Sequence, residues 1–584
     1  MRKTKLVLTL CSLFALWWVL ERPKLHATRL AVEEVLMNKG YLPKPGPEHP
    51  SYGFPNVDSI GGLIERGEEP TTNPLSGFTE YFFVQDPAPT PAVSVPANFP
   101  RYDGVQGLIT RGDDTYSYPS YDRIYDCLTG LELTPGERYA LETPNQLQKT
   151  KLQNTTTFST DVDTASYSNI RRFLRDNEPV PPNAVRIEEM INYFHYDYPE
   201  PTGNAPLSIQ TNLTDCPWNK ERKLIHIGLQ AKTIEADRIP PLNLVLLIDV
   251  SGSMDSPDKL PLLRAALREF VGSLREEDRL SLVTYAGSAG VVLRPTSGDQ
   301  KVALENGVMG MSAGGSTNGA RGILTAYELA RENFDEKSIN RVILATDGDF
   351  NVGLSDTADL LSLIRGQRDS GIYLTVLGLG KGDINDHLME QLADDGNGIY
   401  AYLDSLAEAR KVLLEQAGSS FVPVADDVKV QVEFDADLVE SYRQVGYENR
   451  QLQNEDFEND RKDAGEMGAG HQVTALYEVQ MTRAVLPLES LGSVRVRYKL
   501  PGSRESELIE EGLSSKPWAG RDALRFAPLV AEFGLVLKHS PGAEVERVYE
   551  NLRTQPDLLL GSEDRKEFQG LVDVLYLRQS GKAR

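Results

Sequence analysis

Three short stretches of this 584-residue chain gather hard oxygen donors. Asp249-Val250-Ser251-Gly252-Ser253 offers a carboxylate and two hydroxyls from one tight turn, which Gly252 is expected to permit. Gly314-Gly315-Ser316-Thr317 adds hydroxyls just ahead of a predicted helix, and Thr346-Asp347-Gly348-Asp349 adds carboxylates just after a predicted strand. Oxygen donors with few direct carboxylates suit Mg²⁺, which prefers octahedral geometry, keeps part of its water and leaves a position for an outside ligand. Mn²⁺ and Ca²⁺ are the alternatives. Asp255 and Asp349 stand nearby without an assigned role. No base or nucleophile pairs with these stretches: the seven histidines fall outside them and no GxSxG is present, so the reading is of a binding protein and not an enzyme.

The elements that must position these donors follow from hydropathy. Residues 242–418 alternate short apolar runs with amphipathic segments, the pattern of βαβ units. Strands are predicted at LNLVLLID, RLSLVTYA, AGVVLRP, RVILATD, IYLTVLGL and GIYAYL. Helices are predicted at KLPLLRAALREFVGSL, NGARGILTAYELARENF and TADLLSLIRGQR. The expected fold is α/β, a doubly wound and mostly parallel Rossmann-like sheet. Such sheets collect ligands beyond the carboxyl ends of their strands, where the polar stretches fall.

DVSGS, GGST and TDGDFNVG, in this order and at these strand ends, resemble the metal-ion-dependent adhesion site of von Willebrand factor type A (VWA) domains. The resemblance implies a metal set of Asp249, Ser251, Ser253, Thr317 and Asp347. Ser251, Ser253 and Thr317 would bind directly, and the two aspartates mainly through water. It further implies that an Asp or Glu of a protein partner completes the shell. Beyond this domain, FSTDVDTASYSNIRRFL, INYFHYDYPEP and GYENRQLQNEDFENDRKDAGEMGAGHQVTALYEV resemble a bacterial family in which the VWA domain lies between two flanking regions, over roughly residues 155 to 584.

The remaining sequence sets the context. Arg2, Lys3 and Lys5 precede an apolar run from Leu6 to Leu20, so residues 1–27 read as a signal peptide or a retained membrane anchor and place the rest outside the cytoplasm, in the periplasm or cell envelope. Residues 28–154 are rich in Pro, Gly and Ser and read as a mostly disordered tether. The tether carries a repeat at a 45-residue offset, in which Phe54, Asp58 and Arg66-Gly67 recur as Phe99, Asp103 and Arg111-Gly112. Residues 155–235 are expected to form a small α+β domain, with Asp161, Asp163 and Thr164 capping its first helix. The VWA domain spans 236–418, a β-rich domain 419–515 and a helical segment 516–584. The loop 455–466 is acidic and reads as solvated.

A net charge of −24 excludes a protein that reads the nucleic-acid backbone, which needs Lys and Arg against phosphate. The three cysteines lack metal-ligand spacing and leave a Cys127–Cys216 bridge open. The expected function is metal-dependent protein binding at the cell envelope, with membrane contact only through the N-terminal segment. A Mg-dependent hydrolase, or a scaffold whose metal site binds its own flanks, is the alternative.

Overall fold

The computed structural model describes residues 108–111, 114–117, 131–134, 137–235, 238–286, 289–315, 319–348, 357–382, 384–415, 422–462, 464–484, 489–514 and 521–581. The N-terminal segment 1–27 and the first copy of the repeat lie outside them, as do Cys127, Ser316, Thr317 and Asp349.

Six strands make the central sheet, in the spatial order Ala289–Ser297, Arg279–Tyr285, Leu242–Asp249, Ile339–Thr346, Tyr373–Leu379 and Tyr400–Leu403. All pairings are parallel except that of Ala289–Ser297 with Arg279–Tyr285. Each of the six falls where its apolar run predicts it. Along the first strand the side chains alternate between the two faces. Leu244, Leu246 and Ile248 join the core under helix Leu260–Ser273, while Val245 and Leu247 join the core under helices Gly319–Glu332, Thr357–Arg368 and Asp386–Asp395. A sheet buried on both faces explains why its strands read as unbroken apolar runs. The doubly wound α/β fold expected for this stretch is therefore the one observed.

The flanking segments do not form separate domains. One sheet runs Gln451–Leu452, Thr155–Ser159, Pro423–Phe434, Ser490–Lys499, Ser506–Ser514, and a second runs Gln148–Lys149, Val439–Val445, Gln472–Met481, Lys223–Ala231, Leu207–Asp215. Both contain strands from before and after the central domain. Phe158, Ile225, Ile227 and Leu229 from one flank share a core with Val430, Val432, Tyr477 and Val494 from the other. The division into an α+β unit at 155–235 and a β-rich unit at 419–515 is thus replaced by one β-sandwich. Strand Thr155–Ser159 of the first flank pairs with Pro423–Phe434 of the second, and Lys223–Ala231 pairs with Gln472–Met481, so each flank completes the sheets of the other.

Two further boundaries move. The tether assigned to 28–154 gives way to folded chain by Glu137: Tyr139 is fully buried, Asn169 Nδ2 donates to its hydroxyl at 2.6 Å, and Arg172 pairs with Glu137 at 2.9 Å. The polar composition of this stretch masks its few anchoring side chains. The C-terminal helices Arg521–Leu537, Val545–Thr554 and Glu563–Gln579 pack on helices Ala165–Arg175 and Ile187–Asn192 of the N-terminal flank, with Phe194, Phe526, Phe533 and Phe568 in their shared core. Among the described residues no helix is long and apolar enough to cross a membrane.

Candidate metal centre

The parallel register sets Ile248 beside Ala345 on one neighbour and Asp249 beside Tyr285 on the other, so the loops that follow these strands share one edge of the sheet. The chain then turns through a short 3-10 segment, Gly252–Asp255. The loop before helix Gly319–Glu332 is tied to this turn by two backbone hydrogen bonds, Gly252 N donating to Gly315 O at 3.1 Å and Gly314 N to Val250 O at 2.7 Å. Gly315 (φ 91°) and Gly348 (φ 98°) adopt left-handed backbone that other residues take at a cost. Gly252 does not, and a Cβ there would meet Gly315 O at an ordinary 3.7 Å. The left-handed glycines are therefore in the two neighbouring loops, at Gly315 and Gly348, and not at Gly252 as the sequence suggested.

Four of the five expected ligands converge here. Asp249 is fully buried; its Oδ1 accepts from Ser251 N at 2.8 Å and its Oδ2 from Thr346 Oγ1 at 3.4 Å. The Ser251 and Ser253 hydroxyls lie 3.0 Å apart. Asp347, 1% exposed, accepts at Oδ2 from Lys259 Nζ at 2.8 Å. Thr317 lies outside the described residues, two positions beyond Gly315. Asp255 is exposed. Burial, with the charge of Asp347 adding to it, pushes the Asp249 carboxyl up to about 6 against the hydrogen bonds from Ser251. Two buried acids, one of them held by Lys259, stand beside paired hydroxyls, and this hard-oxygen donor set fits a divalent cation.

A second charged centre, unmarked by any sequence motif, lies at the junction of the central domain and the sandwich. Arg450 pairs there with Asp161, Asp163, Glu390 and Asp394, and Arg186 with Glu189 and Asp386. Carboxylate oxygens of Asp163, Glu189 and Glu390 lie within 4.8 Å of one another. The two guanidinium groups occupy this cluster, which identifies it as a structural joint. Asp161 and Asp163 consequently do not cap a helix: Asp163 accepts from Tyr400 N at 2.7 Å, and Thr164 makes no side-chain cap. Spacing could not reveal this, because the partners lie more than two hundred residues away. In the acidic loop, Asp456 closes a capping box with Gln453, and Ser506 and Arg497 hold Asp460 below the usual carboxylate range.

Comparison with known proteins adds three matches to family descriptions: "von Willebrand factor type A domain" over residues 243–415, "Uncharacterized protein YfbK, C-terminal" over 419–576, and "von Willebrand factor" over 134–226. The chain is 38% identical over 427 residues to YfbK of Escherichia coli, covering 69% of this chain and 74% of that protein. It is 24% identical over 299 residues to the Synechocystis protein sll0103, covering 50% and 70%. A solved von Willebrand factor type A structure from Catenulispora acidiphila is similar at 18% identity with a TM-score of 0.38, covering 62% of this chain and 89% of that one.

Proposed function

Because the chain belongs to the family of Escherichia coli YfbK, with a VWA domain carried between its two flanking segments, we propose that it is an exported protein that binds a protein partner through a divalent cation. VWA domains generally serve protein interaction and adhesion and commonly hold a divalent metal, and residues 243–415 of this chain match the VWA family. The observation that carries the finer reading is the convergence of Asp249, Ser251, Ser253 and Asp347 at one sheet edge, two of them buried acids. With Thr317 these residues would hold Mg²⁺, and the ion would supply a Lewis-acid position for an Asp or Glu of the partner. The protein's own part is to fix the donors: the Ser251 amide and the Thr346 hydroxyl orient Asp249, and Lys259 orients Asp347. The apolar run at Leu6 to Leu20 supports export, with the folded part outside the cytoplasm.

The test uses the full chain and two peptides that differ only in one Asp or Asn. Binding of the Asp peptide in Mg²⁺, lost in EDTA and absent for the Asn peptide, is the expected result. Equal binding of both peptides, or binding indifferent to EDTA, overturns the metal-dependent reading. Turnover of a phosphate ester would favour a hydrolase instead. Export is checked separately by a C-terminal reporter fusion, which should be active only outside the cytoplasm.

A further inference from the structure

Lys259 is a buried lysine with a built seat. It ends the turn that follows the serine loop and immediately precedes helix Leu260–Ser273. Its side chain is 8% exposed, and its ammonium donates to Asp347 Oδ2 at 2.8 Å. The aliphatic stem lies against Gly380, just past strand Tyr373–Leu379, where φ is +75° and a Cβ would stand only 2.0 Å from Lys259 Cε. The Gly380 carbonyl in turn accepts from the Tyr402 hydroxyl at 2.6 Å. The ends of three neighbouring strands and the start of one helix thus enclose this side chain, whereas most lysines keep their ammonium in water. Taking an ammonium out of water is unfavourable unless a counter-charge meets it, and here that charge belongs to a residue of the metal set.

The electrostatic consequence concerns what the site presents outward. Two carboxylates balance a divalent ion, so a fixed ammonium on one of them is surplus positive charge. We propose that Lys259 is the built-in counter-cation of the metal centre: it pins the Asp347 carboxylate, weakens the hold on the divalent ion, and leaves the loaded site positive so that it takes an anionic ligand. This rests on the metal reading of the site given above.

Lys259→Met keeps a stem on Gly380 and removes the charge, and Lys259→Arg keeps the charge. In the full chain, calorimetry with Mn²⁺ alone should show Lys259→Met binding about tenfold tighter than wild type, since a nearby like charge has gone. The Mn²⁺-loaded variant should bind the Asp peptide about tenfold more weakly, and Lys259→Arg should stay within about threefold of wild type on both measures. The Mn²⁺ electron paramagnetic resonance signal reports occupancy independently of peptide binding. If wild type loads Mn²⁺ and Lys259→Met loads it equally or less tightly, the lysine assignment is overturned and the metal reading stands. If neither loads, both fall together. Should Lys259→Met not fold, Lys259→Gln, which keeps a donor to Asp347 without charge, is expected to show the same tenfold changes, and their absence counts against the assignment in the same way.

Discussion

A carboxylate fully withdrawn from solvent stays charged only if its surroundings repay the lost hydration, and Asp249 has a backbone amide and a hydroxyl to do so. Replacing it affects fold and site differently according to the replacement. Asp249→Asn keeps the shape and should abolish Mg²⁺ binding with little loss of stability, whereas Asp249→Ala strands the Ser251 amide and adds about 1–3 kcal/mol of destabilisation. Calorimetry with Mg²⁺, beside thermal unfolding of both variants, separates the two effects; unchanged affinity in Asp249→Asn would remove this residue from the metal set. At the same scale, His226 is buried on strand Lys223–Ala231 with Nε2 2.8 Å from the Tyr198 hydroxyl, and burial pushes its pKa down to about 3. A depressed folded pKa means that the unfolded chain binds the proton first. Its contribution is therefore complete above the unfolded value near 6.5 and is lost as pH falls toward 3. The melting temperature should drop across that window, and His226→Gln should flatten the drop.

At the scale of elements, periodicity succeeded where burial on a face is decided locally. The six strands of the central sheet and the helices on LPLLRAALREFVGS and TADLLSLIRGQR stand where their patterns predict them. Helices Lys301–Met309 and Asp386–Asp395, which fill intervals between central strands, and strands Val439–Val445 and Ser506–Ser514 are not marked individually by the pattern, because each carries polar or charged residues that interrupt its period. In Asp386–Asp395 those residues are functional parts of the joint: Asp386 and Glu390 face Arg186 and Arg450 in place of solvent. Arg450→Met should cost about 3–5 kcal/mol, as expected when one partner of a buried ion network is removed. Burial already raises the carboxyls of Asp163 and Asp394 against the pull of Arg450, so without it they would titrate higher still. The loss should accordingly be smaller at pH 5 than at pH 8, which denaturant midpoints at the two values would show. A loss independent of pH would mean that packing, not charge, is what Arg450 supplies.

For the whole molecule, the central domain is an insertion into a sandwich whose two halves are distant in sequence. Its ends leave and return side by side: Gly470 N donates to Lys232 O at 3.1 Å, and Ala469 N donates to Val422 O at 2.9 Å. Replacing residues 236–420 by a short Gly/Ser linker should therefore leave a folded β-sandwich, less stable for want of the charged joint, while the first flank expressed alone, with its strands split between the two sheets, should not fold. Circular dichroism and amide protection test both statements, and an unfolded linker variant would show that the VWA domain is needed to bring the flanks together.

From sequence alone came the α/β class of the central domain, its family, and the loops that hold Asp249, Ser251, Ser253 and Asp347, because each of these is written in a pattern spanning a few residues. Tertiary structure decided what depends on contacts between distant segments. It merged the flanks into one sandwich, because the hydrogen bonds of a sheet edge can be satisfied by any strand of matching period, however far along the chain. It turned Asp161 and Asp163 from apparent helix caps into partners of Arg450. It also placed Lys259 on Asp347, since a lysine at the start of a helix reads as solvated until the glycine that makes room for it, 121 positions later at Gly380, is seen beside it.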